Sequence, residues 1–294
     1  MLTSTIACAT PRLLLRAPAL PVHSRYRGIA DPRSIAAGPC SPAGLHRRPW
    51  LARLRRALAA DLFVLHYQPI VSLEDGSVSH YEALVRLADE RGGHLVAPAS
   101  FLPAAERYGL IRDIDRMVLA KVVALMGDEC GEHRVSIAVN LSAVSLTDGG
   151  MLSYIGRQLD RHAVEPSRLV VEVTETASIS DMARAKTFCT GVQALGCAVA
   201  LDDFGAGFGS FHYLKNLPFR YLKIDGEFIR GLPHSPNDQL VVKALVGVVR
   251  GMGRSTIAEF VGDEPTLKLL ADFGVDYAQG FLLGRPHPVM GLVA

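Results

Sequence analysis

Short apolar runs alternate with amphipathic stretches from about residue 50 to residue 281. The first stretch predicts a short helix, because Leu51, Leu54 and Leu58 recur on one face with arginines on the other. Strands are expected next over residues 63–71 and 78–86, joined by a turn at residues 74–76. A strand, a tight turn and a returning strand pair in the antiparallel direction.

After this hairpin the pattern changes to helices and strands in alternation. Further strands are predicted over residues 135–141, 169–173, 198–203, 221–224, 255–259 and 277–281. Further helices are predicted over residues 99–108, 111–126, 150–162, 179–195, 211–215, 238–252 and 263–273. The residues after Pro286 are expected to be a surface tail.

The alternation favours an α/β fold with a parallel sheet. The ordered part is expected to span about residues 48–290, which fits the ~250 residues of a (β/α)8 barrel. A doubly wound open sheet is the structural alternative. That fold usually carries a glycine-rich phosphate turn after its first strand, and this chain has none there.

The composition, with 49% hydrophobic and 20% charged residues among 294, is that of a soluble globular protein. No apolar run approaches the ~18 residues of a membrane span. The five cysteines form no C-x-x-C pair, which argues against a disulfide framework and for a reducing, cytoplasmic setting. The ten histidines lack zinc-binding spacing. Oxygen ligands, and a metal that prefers them, are therefore expected rather than zinc.

The net charge of +2 is unevenly divided along the chain. Residues 1–60 contain ten arginines, no lysine and one acidic residue, a formal charge of +9, so the remainder carries −7. The basic character belongs to the N-terminal segment and does not indicate a body that binds nucleic acid. Residues 1–47, rich in Arg, Pro and Ala, are predicted to be a disordered tail. An organellar transit segment, a floppy extension and a start codon placed too early remain open.

Acidic or amide residues stand at the ends of five successive strand-like runs. They are Glu82, Asn140, Glu172, the pair Asp202 and Asp203, and Glu259. In a parallel barrel the C-terminal strand ends converge on one mouth. Several carboxylates cannot all be anions there unless divalent cations neutralise them. Adjacent Asp202 and Asp203 can share that site only if the backbone turns, which Gly205 permits. The order predicts a metal-dependent enzyme.

Several short motifs occupy these and neighbouring positions in a fixed order. They are Tyr67-Gln68-Pro69-Ile70, Glu82-Ala83-Leu84-Val85-Arg86, Val139-Asn140-Leu141-Ser142, Glu172-Val173-Thr174-Glu175, Asp202-Asp203-Phe204-Gly205, Lys223-Ile224-Asp225, Ala258-Glu259-Phe260-Val261 and Gln279-Gly280. With these motifs the chain resembles the EAL-domain family of cyclic-di-GMP phosphodiesterases over about residues 60–286. The resemblance implies a modified TIM (β/α)8 barrel with an antiparallel first strand. It also implies two Mg2+ or Mn2+ per active site, hydrolysis of the bacterial second messenger cyclic di-GMP to 5′-pGpG by metal-assisted attack of water, and a homodimer formed around residues 205–215.

The resemblance also implies a role for each matching position. Implied metal ligands are Glu82, Asn140, Glu172 and Asp202 for one ion, and Asp202, Asp203 and Glu259 for the other. Implied catalytic residues are Glu82, Asp203, Lys223, Glu259 and Gln279. Implied substrate contacts are Gln68, Leu84, Arg86 and Asp225, while Glu175 braces the loop over residues 205–210. A lysine can orient the attacking water or offset phosphate charge, and arginine offers a planar fork to phosphate.

Two segments depart from the family pattern. Many members read E-G-V-E where this chain has Glu259-Phe260-Val261-Gly262, and the loop over residues 203–210 lacks three hydroxyl-bearing residues. The loss of the second glutamate affects rate or affinity, unless Asp263 replaces it through a one-residue shift. An active enzyme is favoured because the inferred ligands and Lys223 are all present. The alternatives are a receptor or protein-interaction module that holds cyclic di-GMP without cleaving it, and a different barrel enzyme such as a metal-assisted lyase.

Overall fold

The alternating elements close into a barrel. The computed structural model describes residues 47–89, 94–128, 135–174, 181–205, 210–288 and 290. The expected disordered tail lies outside the described residues, apart from Arg47 at the start of the first helix. Glu175 and most of the loop over residues 205–210 also lie outside them.

The strands of the described residues belong to one sheet. They are β1 (Phe63–Ser72), β2 (Val78–Ala88), β3 (Leu95–Val96), β4 (Ile137–Leu141), β5 (Leu169–Thr174), β6 (Ala198–Phe204), β7 (Tyr221–Ile224), β8 (Ser255–Ala258) and β9 (Tyr277–Ala278). The order is β1-β9-β8-β7-β6-β5-β4-β2-β3, and β1 also pairs with β2. Eight strands therefore close a barrel, while β3 extends β2 outside it. Strand β1 is antiparallel to both neighbours and the other barrel pairs are parallel. The predicted modified TIM barrel is confirmed.

Helices surround this barrel. Over the described residues they are α1 (Arg47–Ala59), α2 (Pro98–Arg107), α3 (Ile111–Asp128), α4 (Ala143–Leu146), α5 (Met151–Arg161), α6 (Met182–Ala194), α7 (Ser210–Asn216), α8 (Gly226–Ile229), α9 (Pro236–Gly251) and α10 (Glu264–Phe273). Side chains that accept a backbone N–H fix several starts. The N-cap residues that do so are Ser142, Asp181, Asp225, Ser235 and Asp263. Among the described helices, none is both long and apolar enough to cross a membrane.

Two layers of the barrel interior each take one residue from each of the eight barrel strands. The lower, largely apolar layer contains Ile70, His80, Ala138, Val170, Ala200, Tyr221, Ile257 and Tyr277. Two positions nearer the mouth, the same strands or their immediate extensions carry Gln68, Glu82, Asn140, Glu172, Asp202, Lys223, Glu259 and Gln279. Residues two apart on a strand face the same side, so the apolar layer becomes the floor of a polar one. These eight polar residues are called the polar layer below.

Two local expectations were wrong. Glu82 lies inside β2 rather than at its end, because the strand continues past the short stretch that pairs with β4. The residues after Pro286 are not simply a surface tail. His287 accepts a backbone hydrogen bond from Tyr67 at 2.7 Å and donates one back at 3.0 Å. This bridge ties the end of the chain to β1.

Candidate active site

Lys223 lies at the centre of the polar layer, with 1% of its side chain exposed. Its Nζ is 2.9 Å from both Asp202 Oδ1 and Glu259 Oε1. It is also 3.2 Å from Glu172 Oε2 and 3.4 Å from Glu82 Oε2. Burial favours the neutral amine, but the four carboxylates outweigh it and raise the pKa of Lys223 well above its ordinary value. One ammonium cannot balance four carboxylates, so the layer can accept further positive charge.

Two of these carboxyl groups resist ionisation. Burial raises the pKa of Glu172 well above its ordinary value, against the pull of Lys223. Burial likewise raises the pKa of Glu259 to about 8. Like charges packed in a dry site cannot all ionise without a counter-charge. A bound cation would therefore stabilise the ionised form of both groups.

Glu82 is held in its charged form by its neighbours. Asn140 Nδ2 donates to Glu82 Oε1 and Gln279 Nε2 donates to Glu82 Oε2, each at 2.7 Å. Burial opposes ionisation, but Lys223 and these two amides lower the pKa of Glu82. Gln279 is itself fixed by Gln68, whose Oε1 lies 3.3 Å from Gln279 Nε2. The side-chain amides of the polar layer thus fix the orientation of the Glu82 carboxylate.

A bulge in β6 brings two adjacent aspartates to one side. The register with β7 shifts between Leu201 and Phe204. Asp203 has a left-handed φ of 55° and Gly205 has a φ of 107°. The expected turn is therefore made first at Asp203 itself, before the glycine. Aspartate adopts this conformation more readily than most residues that bear a Cβ.

The donor set fits a hard divalent cation. Carboxylate oxygens of Asp202, Asp203 and Glu259 lie within 4.8 Å of one another. Glu172 Oε1 is buried with no hydrogen-bond donor in the part of the chain that the structure describes, which leaves it suited to a cation. Burial and the nearby Asp202 charge raise the pKa of Asp203 to about 6. Carboxylate and amide oxygens are the ligands that Mg2+ and Mn2+ prefer.

A cavity of about 370 Å3 opens between the barrel mouth and helices α2 and α3. Asn140, Asp202 and Asp203 line its polar side, and Leu84 lines it with apolar residues of the two helices. Arg86 is on the same face of β2 as Leu84, because the two are separated by one residue. Burial lowers the pKa of Arg86, whose Nη1 donates to the carbonyl of the preceding residue at 2.9 Å.

Of the other residues considered for the site, Gln68 lies in the polar layer, whereas Asp225 and Asp263 lie at the starts of helices. Gln68 is buried in the polar layer and donates from Nε2 to the Gly284 carbonyl at 3.0 Å. Asp225 lies at the rim and accepts the Glu227 N–H at 2.6 Å as the N-cap of α8. Asp263 accepts the N–H of Thr266 at 2.8 Å as the N-cap of α10. One oxygen of its carboxylate caps that helix, and replacement of the missing glutamate by Asp263 remains a prediction.

The sequence reasoning missed Asp115. Its Oδ2 accepts hydrogen bonds from Ser142 N at 3.0 Å, Ser142 Oγ at 2.6 Å and Ser145 Oγ at 2.6 Å. These bonds tie α3 to the segment that follows Asn140. An acidic residue on the buried face of α3, next to Ile114, was the available signal. Buried carboxylates normally have such partners.

Comparison with known proteins agrees with this geometry. Residues 51–286 match the EAL domain family. "Cyclic di-GMP phosphodiesterase PdeB" of Shewanella oneidensis is 38% identical over 244 residues, 82% of this chain and 28% of the relative. The chain spans about a third of the length of the curated relatives it matches.

Solved structures show the same likeness. The structure "PaMucR Phosphodiesterase, c-di-GMP complex" is 39% identical, with a TM-score of 0.77 over 83% of this chain and 99% of that one. The FimX EAL domain from Pseudomonas aeruginosa bound to c-di-GMP is 33% identical, with a TM-score of 0.76 over 82% of this chain and 97% of that one. The barrel with its antiparallel first strand, the ordered motifs and these matches together establish that the chain belongs to the EAL domain family.

Proposed function

We propose that the protein is a metal-dependent phosphodiesterase that hydrolyses cyclic di-GMP to 5′-pGpG. The observation that carries this proposal is the buried polar layer, whose four carboxylates surround one ammonium beside an open cavity. The similarity to a protein named a cyclic di-GMP phosphodiesterase supports the choice of substrate. A similar phosphodiesterase structure in complex with c-di-GMP supports it further.

The proposed cations are two Mg2+ or Mn2+ ions. The residues proposed to hold the first ion are Glu82, Asn140, Glu172 and Asp202. The residues proposed to hold the second ion are Asp202, Asp203 and Glu259. Bound divalent cations would supply Lewis acidity and charge neutralisation at the phosphodiester. The surplus of negative charge around Lys223 is the physical reason that the site would bind them.

The side chains of the protein have separate tasks. Lys223 keeps the carboxylates converged and places positive charge where the phosphoryl oxygens gain negative charge during the reaction. Gln279 orients Glu82 through its 2.7 Å hydrogen bond. Arg86 offers its guanidinium to a phosphate oxygen. Leu84 provides an apolar wall of the cavity for a base.

Two proposed contacts are more limited. Asp225 would contact the substrate through the carboxylate oxygen that does not cap α8. Gln68 would contribute at the inner edge of the site, where it is already bonded to Gln279. Bracing of the loop over residues 205–210 by Glu175, and a homodimer formed around residues 205–215, remain predictions.

The second candidate function is binding of cyclic di-GMP without cleavage. Gly262 favours it, because many family members carry glutamate at this position. The FimX EAL domain bound to c-di-GMP is a structural relative. In this function the same cavity would hold the ligand intact.

A turnover assay on the full-length chain separates the two functions. The protein is incubated with cyclic di-GMP and Mg2+ or Mn2+, and the nucleotides are separated by chromatography. We expect 5′-pGpG to accumulate, and EDTA or replacement by Ca2+ to stop it. Glu82→Gln should abolish accumulation, because it removes a charged ligand while preserving side-chain size. Glu74→Gln, an exposed change in the turn after β1, is the matched control and should leave turnover unchanged.

Each other outcome has a clear meaning. If cyclic di-GMP binds tightly but stays intact, the receptor function replaces the phosphodiesterase function. The absence of both binding and cleavage would refute both functions. Unchanged turnover in Glu82→Gln with saturating metal would refute the assigned site while leaving the substrate correct.

A further inference from the structure

Phe260 has a backbone conformation that its side chain does not favour. Its φ is 54°, in the left-handed region, and its side chain is 51% exposed. The residues on both sides are held by the barrel. Glu259 N donates to the Ile224 carbonyl at 3.2 Å, and Val261 N donates to the Gln279 carbonyl at 3.0 Å. Such strain persists only where the surroundings enforce it, and it concentrates at functional sites.

The exposed ring is part of a stacked pair. The Arg230 guanidinium lies over the Phe260 ring with its Cζ 4.0 Å from the centroid. On another side the ring packs so closely on Gly226 that no Cβ would fit there. Arg230 follows α8, and Phe260 follows β8 by two residues, so both stand at the mouth end of the barrel. The pair is therefore a fixed, planar and partly apolar surface at the rim.

The pair also stands next to the reacting groups. Glu259 directly precedes Phe260 and its Oε1 is 2.9 Å from Lys223 Nζ. Aromatic rings and arginine planes are the surfaces on which proteins stack nucleic-acid bases. Phe281 and Arg285 form another exposed pair, 4.3 Å apart, but Phe281 has no left-handed φ. Among the described residues, Phe260 is the one aromatic residue that stands where the backbone favours glycine.

We propose that Phe260 and Arg230 form a stacking platform for a purine base of the substrate, and that this platform determines substrate affinity. The inference rests on the proposed function, because it takes a purine dinucleotide as the ligand. The base would lie against the platform while its phosphodiester reaches the polar layer. Stacking tolerates any base, so the platform adds affinity without choosing between guanine and adenine.

The test compares affinity with turnover in the full-length protein. Dissociation constants for cyclic di-GMP are measured by calorimetry with Ca2+ in place of Mg2+, and kcat and KM are measured with Mg2+. Phe260→Leu and Arg230→Met should weaken binding by about 5-fold to 100-fold. KM should rise in proportion, with kcat within about two-fold, because stacking acts equally on ground and transition states. Phe260→Trp should retain affinity.

Two further variants separate stacking from packing. Phe260→Gly removes the ring and also the left-handed strain, so affinity should fall while the melting temperature stays level or rises. Lys243→Met is the matched control. It breaks another cation–ring pair, 4.3 Å from Phe273, on α9 rather than at the mouth. Its dissociation constant should equal that of the wild type.

The outcomes are distinguishable. Wild-type binding that persists unchanged in Phe260→Leu and Phe260→Gly refutes the platform and leaves the proposed function standing. A lower kcat at unchanged KM, with a lower melting temperature in Phe260→Gly, shows that the ring only positions Glu259 and also refutes the platform. A wild-type protein that neither binds nor cleaves cyclic di-GMP overturns the platform and the proposed function together.

Discussion

Replacing Lys223 with methionine removes the ammonium at the centre of the polar layer and keeps a side chain of similar length. Four carboxylate oxygens that lie 2.9–3.4 Å from Nζ lose this partner. Removing one partner of a buried ion pair costs about 3–5 kcal/mol. In a domain of this size each kcal/mol lowers the melting temperature by about 2–4 °C. We therefore expect Lys223→Met to melt about 10 °C below the wild type in EDTA.

The stability lost in Lys223→Met should depend on pH in a defined direction. Burial raises the pKa of Glu259 from 4.5 to about 8, so in the folded state this group keeps its proton where the unfolded chain releases it. Stability then falls as pH rises between these values. Lys223 limits that fall, and its raised pKa keeps it charged throughout this range. The difference between variant and wild type should already be present near pH 5, where Glu82 is ionised, and should grow up to pH 8 as Glu259 loses its proton.

Thermal unfolding followed by circular dichroism at three pH values measures this difference. Lys268→Met, an exposed change on α10, is the matched control and should melt as the wild type does. A Lys223→Met protein that melts within about 2 °C of the wild type above pH 8 would refute this role of the ammonium. A deficit that shrinks as pH rises would also refute it, because the carboxylates would then not need the ammonium.

Three further predictions concern other parts of the molecule. Asp115→Ala removes three hydrogen bonds to the segment after β4 and should lose about 2–4 kcal/mol in urea unfolding together with turnover, whereas exposed Asp113→Ala should lose neither. Gly262→Glu restores the acidic residue of the family pattern and should raise kcat. Its stability should stay within about 0.5 kcal/mol of the wild type, because the nearest described atom to a Cβ there is 3.9 Å away. An unchanged kcat would show that Gly262 does not limit turnover. Burial raises the pKa of Cys189 and Cys197 to about 12, so neither should react with iodoacetamide at pH 8 before unfolding, as peptide mapping can check; labelling in the native protein would contradict their burial.

The barrel was predictable because the spacing of apolar and polar residues is visible within each strand of the sequence. Val170 and Glu172, or Tyr221 and Lys223, are two apart, so each apolar floor residue has a polar partner toward the mouth. Helix and strand positions follow from the same periodicities. The extent of β2 did not follow, because pairing with β1 and β3 carries the strand to Ala88, beyond the residues that pair with β4. The bridge from His287 to β1 depends on the closed barrel and has no local signal.

The residues of the candidate site could be predicted, but the contacts among their side chains could not. Sequence reasoning gathered Glu82, Asp202 and Lys223 at one mouth. It could not show that Lys223 would lie within 3.4 Å of four carboxylates, since this depends on how far each strand rises in the barrel. Asp263 shows the opposite limit. Its place beside Gly262 suggested a ligand role, but did not show that one of its carboxylate oxygens caps the start of α10.

The two departures at the rim have one physical consequence. Many family members place glycine where this chain has Phe260, and the φ of 54° explains that preference. Gly262 has no left-handed φ, and a Cβ there would have room, so its backbone does not demand glycine. Neither residue is therefore dictated by local geometry. Together they exchange a carboxylate for an aromatic surface at the mouth, which lessens repulsion of an anionic dinucleotide and adds stacking. Such changes strengthen ground-state binding without raising the rate of the chemical step. A chain altered in this way should hold its substrate more tightly, at a similar or lower kcat, than one with glycine and glutamate restored.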